Sequence, residues 1–281
     1  VCLLDSKEDL LKVSFHTLGS FIDRNRFELS EKIIAANISE CILHSKHVRV
    51  AKRGSAYVLH KKQVHKELLE RALANRVIIK NPVRIRGFKK ANDGTIDRLV
   101  DTSGNEYQGK IFVDASGVAA VLSRPLGLQD HKFKIGGGLE YNVKYFGPQN
   151  QAHLFIGKEF RGGYGWIFPL GNQRAIFGYG TFAEKEIARL KDTVNGLIAA
   201  PPINRLIEKD NNQPYGGTIP ITGVKNKFIF KNVVCIGDSV SQVHPLVGEG
   251  YRFILEAGKL AAPLCRRLFL FCLRHFRQAK R

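Results

Sequence analysis

Between Val233 and Gly250 the chain runs through an unbroken apolar stretch, Val233-Val234-Cys235-Ile236, then Gly237-Asp238, then a turn that carries Gly248 and Gly250. Four apolar residues in a row, bounded by turn chemistry, read as a strand buried on both faces, as in a parallel sheet covered by helices. A long helix is expected from about Gly248. Strand, glycine-bearing turn and helix in that order restrict the chain to α/β architectures, where ligands meet the carboxyl ends of the strands. A carboxylate just past such a strand can accept hydrogen bonds from sugar hydroxyls. Gly248 and Gly250 allow a close backbone approach at a helix start, where free N–H groups and the dipole favour negative charge. The structural alternative is a strand, turn and helix with no ligand.

The same grammar occurs earlier. Ile111-Phe112-Val113-Asp114 is an apolar strand ending in a carboxylate, followed by Ala115-Ser116-Gly117. Alone, that motif is equally an ordinary turn. It closes a run of short strands over Val77–Ile79, Val83–Phe88 and Thr95–Val100, separated by Asn92-Asp93-Gly94 and Ser103-Gly104-Asn105. A helix with Val64, Leu68, Leu69 and Ala72 on one face follows the short strand Tyr57-Val58-Leu59. Val1-Cys2-Leu3-Leu4 reads as a buried strand ending on Asp5, and residues 6–51 show no clear pattern.

The middle third differs. Leu139–Tyr145, Leu154–Gly157 and Ala175–Tyr179 alternate apolar and polar residues, as half-buried antiparallel strands do. A helix is expected over Lys185–Ala199, stopped by Pro201-Pro202. In Tyr164-Gly165-Trp166-Ile167-Phe168-Pro169 the three aromatics fall on one face of a strand, where they can line an apolar channel or pack a core. The layout is an α/β nucleotide-binding lobe over residues 1–130, an inserted α+β antiparallel-sheet lobe over 131–232, and a return to the first lobe over 233–281.

Taken together these motifs resemble the geranylgeranyl reductases, flavoproteins built like para-hydroxybenzoate hydroxylase. The segment Gly237–Gly250 resembles that group's Gly-Asp motif, and Asp114–Gly117 falls where the group carries a short Asp-Gly motif near the cofactor pyrophosphate. The aromatic run, with Gly178-Tyr179-Gly180 after it, looks like the reductases' own signature, and Gly216-Gly217-Thr218-Ile219-Pro220 matches a further stretch. The resemblance covers Val1 to about Leu264. It implies a Rossmann-like FAD-binding lobe with FAD held by Asp5, Asp114, Gly117, Gly237, Asp238, Pro245, Gly248, Glu249 and Gly250. Tyr164, Trp166, Phe168, Pro169, Gly178 and Gly180 would bind an isoprenoid lipid, with the glycines leaving room for it. The implied activity is reduction of isoprenoid double bonds, fed by an external electron donor. No protein acid or base stands out. Asp5 fits the acidic residue that ends the second strand of dinucleotide folds. The first strand and its Gly-x-Gly-x-x-Gly turn, expected about 30 residues earlier, are not in the sequence. The lobe is therefore read as incomplete at its N-terminus. Gly136-Gly137-Gly138 is no substitute, because it leads into a strand.

Several residues depart from the family. Lys61, Val64 and His65 stand where an Arg-x-x-Phe-Asp pattern is usual, and lysine lacks the bidentate geometry of arginine. Arg76 stands where a helix-ending glycine is expected. Tyr251-Arg252 replaces Ile and a small residue. Other flavoproteins of the same fold (lycopene-cyclase-like, halogenase-like or monooxygenase) and a non-catalytic lipid- or membrane-binding fragment remain open alternatives.

The chain of 281 residues carries 44 Lys and Arg against 25 Asp and Glu, a net charge of +19. Such an excess favours anionic partners. It is densest at Arg266, Arg267, Arg274, Arg277, Lys280 and Arg281 around Leu268-Phe269-Leu270-Phe271, so a basic helix on an anionic membrane surface and a simply solvated helix end are both compatible. No zinc-finger, RNA-recognition or phosphate-loop motif appears, and nucleic acid is not an expected partner. Five cysteines without a CxxC pair or metal spacing fit a reducing, cytoplasmic setting and no metal, and the basic excess fits peripheral contact with a membrane.

Overall fold

The computed structural model describes residues 1–15, 17–130, 134–244 and 246–278, with side chains to Arg267 in the last helix. The chain divides into two compact units, residues 1–10, 73–133 and 220–281 in the first and residues 11–72 and 134–219 in the second. It opens in the first with strand β1 (Cys2–Leu4), then enters the second for β2 (Thr17–Ser20), β3 (Ile34–His44), β4 (Arg49–His60) and helix α1 (Lys61–Ala74). The first unit resumes with β5 (Ile78–Lys80), β6 (Ile85–Lys90), β7 (Ile96–Asp101), β8 (Glu106–Gln108) and β9 (Phe112–Asp114). The second unit continues through β10 (Ile135–Tyr145), β11 (Gln151–Phe155), β12 (Gly163–Gly171) and β13 (Arg174–Thr181). Helices α2 (Glu184–Ile187) and α3 (Leu190–Ala199) follow, then β14 (Ile207–Lys209) and β15 (Tyr215–Pro220). The first unit closes with β16 (Ile229–Phe230), β17 (Val233–Cys235) and α4 (Tyr251–Gln278).

The second unit is built on one nine-stranded sheet in the order β14-β10-β13-β12-β11-β3-β4-β2, with β15 also paired to β10. Alternation along β10 puts Tyr141, Val143 and Tyr145 on one face, each at most 1% exposed. Against them pack Leu190, Val194, Leu197 and Ile198 of α3, spaced so that they share one helical face. Residues 11–72, expected in the nucleotide-binding lobe, belong here instead. Their strand β3 pairs in parallel with β11, a long-range pairing that no local pattern announces. Of the face expected on α1 only Val64 is fully buried. The single helix expected over 185–199 is two, broken between Ile187 and Leu190.

In the first unit β9 and β17 lie parallel, with β16 antiparallel on the far side of β17. Val233, Val234 and Cys235 are 0–1% exposed, as the apolar run requires. Val233 and Cys235 join Ile96, Phe112, Leu122, Leu128 and Val240 in one core. β6, β7 and β8 form the expected meander. β1 is a strand, parallel to β5. Its side chains are not buried as expected: Cys2 and Leu3 are exposed and Leu4 is half-buried.

Arg76 stands just after α1 with φ 58°, and its N–H donates to the Leu73 carbonyl at 2.9 Å. The helix does end in the left-handed geometry that glycine favours, but with a side chain that strains it. Arg76→Gly should raise the unfolding free energy by about 1 kcal/mol, read as a higher midpoint in urea.

Candidate functional site

The two carboxylate turns of the first unit leave adjacent parallel strands at their carboxyl ends, for Cys235 pairs with Asp114. Asp114 itself is 2% exposed. Its Oδ1 accepts from Ser116 N (3.0 Å) and Oγ (2.6 Å), and its Oδ2 from Leu122 N (2.9 Å) and Ser123 N (2.7 Å). With both oxygens engaged inside the protein, the carboxylate organises the loop rather than presenting itself to a ligand. What this turn offers a ligand is backbone: Gly117 has φ 65°, and a Cβ placed there would meet nothing within 4 Å.

Across from it, Ser239 Oγ donates to the carbonyls of Asp114 (2.9 Å) and Ile236 (2.8 Å), while Ser123 Oγ donates to the Ser239 carbonyl at 2.8 Å. The two turns are thus stitched together through side chains fully buried at Ser123 and Ser239. Gly237 takes φ 69° and its N–H donates to Gln242 Oε1 at 2.6 Å. Burial, with Asp114 alongside, pushes the Cys235 thiol up to about 12, so it stays protonated.

Gly248 (φ 65°), Glu249 and Gly250 form the turn before α4, which begins at Tyr251 rather than at Gly248. A Cβ on Gly250 would stand 3.7 Å from Asp238 Oδ1, filling the space above that half-buried carboxylate. Arg252, the residue foreign to the family pattern, places Nη2 3.5 Å from Glu249, and its buried Nε has no hydrogen-bond partner. A glycine cradle beside a carboxylate, with an unsatisfied guanidinium N–H at the helix start, fits an anionic group bearing hydroxyls. Glu249 is turned to Arg252 within this turn. Asp5 accepts from Lys7 N–H at 2.9 Å, beyond the end of β1. Pro245 lies outside the described residues.

The second unit carries the aromatic strip. Tyr164, Trp166 and Phe168 project from one face of β12, half-buried, with ring centroids 5.6 Å and 6.2 Å apart along the series. Pro169, expected beside them, lies on the other face with buried Ile167 and Gly165. Gly178 and Gly180 share the strip's face, but they do not leave room for a ligand. A Cβ on Gly178 would lie 2.3 Å from Trp166 Cζ2, and one on Gly180 3.2 Å from Cζ3. The indole already fills the space the glycines open. Gly178→Ala should therefore destabilise by about 1–3 kcal/mol and shift the emission of Trp166, the single tryptophan of the chain. The Phe15 ring lies close to Gly138 and Gly217, 3.5 and 3.0 Å from where a Cβ would stand.

Two features escaped the sequence reading. Glu140, expected toward solvent from the alternation of β10, is 2% exposed. It pairs with Gly178, which pairs with Trp166, so its carboxyl shares the aromatic face. The second is a chain of titratable groups: Tyr145 Oη lies 2.8 Å from His153 Nε2, and His153 Nδ1 lies 2.9 Å from His44 Nε2. Burial, then His44 and Arg49, push His153 down to about 4, and burial pushes Tyr145 up to about 12. Neither carried a signal in the sequence: Glu140 occupies a polar position of an alternating strand, and the histidines meet only because β3 pairs with β11, far away in the chain. A polar cavity of about 340 Å³ lined by Arg24, Glu31, Asn37 and Tyr57 includes none of these groups. Among the described residues no cluster of three or more His, Cys, Asp or Glu could hold a metal ion, and no helix is long and apolar enough to cross a membrane.

A family model described as tryptophan halogenase matches residues 25–269. A digeranylgeranylglycerophospholipid reductase of Methanococcus vannielii is 27% identical over 228 residues, which are 76% of this chain and 56% of the relative. A menaquinone reductase of Mycolicibacterium smegmatis is 28% identical over 194 residues, 62% of this chain and 45% of the relative. The chain thus spans about half the length of the curated relatives it matches. A geranylgeranyl bacteriochlorophyll reductase-like protein of Thermoplasma acidophilum superposes with a TM-score of 0.78 at 19% identity, covering 90% of this chain and 68% of that one. A flavin-dependent brominase superposes with a TM-score of 0.72 at 14% identity, covering 95% and 73%. The fold is that of FAD-dependent reductases, halogenases and monooxygenases. With one family model spanning residues 25–269, the chain belongs to the tryptophan halogenase family.

Proposed function

We propose that the protein is a flavin-dependent reductase acting on the double bonds of an isoprenoid chain carried by a lipid. The observation that carries this reading is the half-buried strip of Tyr164, Trp166 and Phe168 bedded on glycine, a flat apolar surface suited to a long unsaturated chain. The relatives named digeranylgeranylglycerophospholipid reductase supply the substrate class.

Gly117, Gly237, Asp238, Gly248 and Gly250 would hold FAD, with Asp5 toward the ribose and Asp114 shaping the loop that presents Gly117. Bound FAD supplies hydride chemistry, replenished by an external electron donor. The N–H groups before and at the start of α4, with Arg252, stabilise negative charge there. The aromatic strip orients the chain and keeps water from it. Saturating a double bond also needs a proton, and the Glu140 carboxyl is placed to hold one on the substrate's face. The protein works in a cytoplasmic setting in peripheral contact with an anionic membrane surface. Halogenation of an aromatic ring is the second reading, favoured by the family model.

Protein incubated with FAD and desalted should keep a flavin absorbance, and a colourless, folded protein overturns the cofactor. With a chemical reductant and a geranylgeranyl lipid, mass spectrometry should show hydrogen added in pairs. Bromide incorporated into an aromatic substrate, with the lipid unchanged, would favour the second reading. Glu140→Gln should retain FAD while slowing saturation by about 100-fold, the scale of a lost general acid.

A further inference from the structure

The positive charge is spread along the sequence, but the fold gathers part of it on one arm. Seven Lys and Arg and no Asp or Glu lie between Glu40 and Glu67. Four of them, Lys46, Arg49, Lys52 and Arg53, sit on the hairpin of β3 and β4, where every residue from Ser45 to Ser55 is exposed. The turn is well tied: Ser45 N–H donates to the Val48 carbonyl at 2.9 Å, and Val48 N–H donates to Ser45 Oγ at 3.2 Å. Among the cations stand two apolar side chains, Val48 at 58% and Val50 at 50% exposed.

The sheet register connects this arm to the aromatic strip. Val50 pairs with Leu43, Leu43 with Leu154, and Leu154 with Trp166. Paired residues on neighbouring strands project from the same face, so these four make one apolar row across β4, β3, β11 and β12. Three strand spacings make it about 14 Å long. It starts at exposed Val50 and passes half-buried Leu43 and Leu154 to half-buried Trp166. Lys52, paired with Cys41, shares the row's face, while Arg49 and Arg53 flank the arm from the other side.

We propose that the β3–β4 hairpin rests on an anionic lipid bilayer, and that the row from Val50 to Trp166 is the path by which an isoprenoid chain passes from the bilayer to the aromatic strip. Cations that surround exposed valines match headgroup phosphates over an acyl boundary. A nucleic acid would use the same charge, but its bases stack on aromatic rings, and the arm from Lys46 to Arg53 has no Phe, Tyr or Trp. The docking half of the inference stands on the hairpin alone; the path half rests on the isoprenoid reading of the strip.

Co-sedimentation of the full chain with phosphatidylcholine vesicles, with and without phosphatidylglycerol, tests the docking. Wild-type protein should bind only the anionic vesicles and be released by salt. Each cation at the surface is worth about fivefold, so Lys46→Glu, Lys52→Glu and Arg53→Glu together should weaken binding at least ~10-fold. Arg266→Glu with Arg267→Glu, on exposed positions of α4, should leave it in place. The reverse pattern, or tighter binding to a single-stranded RNA oligonucleotide than to the vesicles, overturns the docking. Geranylgeraniol in the anionic vesicles should shift Trp166 emission, and Leu43→Gln should remove that shift while vesicle binding persists; a shift that survives Leu43→Gln overturns the path. Geranylgeraniol in detergent micelles separates the two layers. A micelle shift without the vesicle effects leaves the proposed function standing and removes this inference, whereas no shift in either removes the proposed function and the path, and the docking is then decided by the sedimentation alone.

Discussion

Replacing Asp114 with alanine is expected to unfold the first unit rather than merely to weaken cofactor binding. Four donors converge on this buried carboxylate, two of them the backbone N–H groups of Leu122 and Ser123 at 2.9 and 2.7 Å. Alanine leaves those N–H groups buried and unpaired. Hydrogen bonds to a charged group contribute about 1.5–3 kcal/mol each, and an orphaned buried donor costs about 1–3 kcal/mol. Because the bonds form one network and are not additive, at least about 4 kcal/mol is a reasonable floor. Asp114→Asn keeps one oxygen acceptor but sets an amide N–H₂ against N–H donors, so it should recover only part of that loss. Urea denaturation followed by circular dichroism reads the difference. An Asp114→Ala protein that melts like wild type but no longer retains FAD would return the carboxylate to the role of direct ligand.

That contrast marks how far the sequence could be read. The strands before Asp114 and Asp238 were legible because unbroken apolar runs have one comfortable place, the interior of a parallel sheet. The aromatic face of β12 was legible from a period of two. What each polar side chain points at was not. Asp114 and Asp238 follow strands of the same type, yet one is consumed by its own loop and the other lies under Gly250. The glycines of β13 read as vacancy, and they proved to be the seat of Trp166, because a missing Cβ shows only that something comes close. Residues 11–72 were misplaced for a related reason. β3 and β4 carry two register shifts, between Ile34 and Ala36 and between Ile38 and Glu40, which disrupt the alternation by which a strand is recognised. The acid placement of Glu140 and the meeting of His44 with His153 depend on pairings across more than a hundred residues of chain or on burial of a strand face that looked solvated.

The meeting of those histidines sets the largest expected effect of pH. His153 is 2% exposed, stacked with His44 at 5.2 Å between ring centroids and held between His44 and Tyr145. A second proton on its ring would be buried beside His44 and the charge of Arg49. Its folded value of about 4 lies below the ordinary 6.5. In the unfolded chain the ring takes up a proton as pH falls through 6.5, while the folded protein resists until about 4. The stability tied to this group is therefore fully present above pH 6.5 and is lost progressively down to about 4, by about 3 kcal/mol in all. His44 shifts in the same direction, mainly through burial, and its half-exposed ring adds a smaller share. Carboxylates held low contribute at more acid pH: at Glu67, burial opposes the shift, but hydrogen bonds from Ser30 and Arg71 outweigh it. The two classes separate in a series of urea melts from pH 7 downward. His153→Phe should lower the midpoint at pH 7, where the Tyr145 bond is lost, yet flatten the fall over the histidine window. If the variant and the wild type fall in parallel there, the ring is already protonated in the folded protein and the buried chain from Tyr145 to His44 carries a charge.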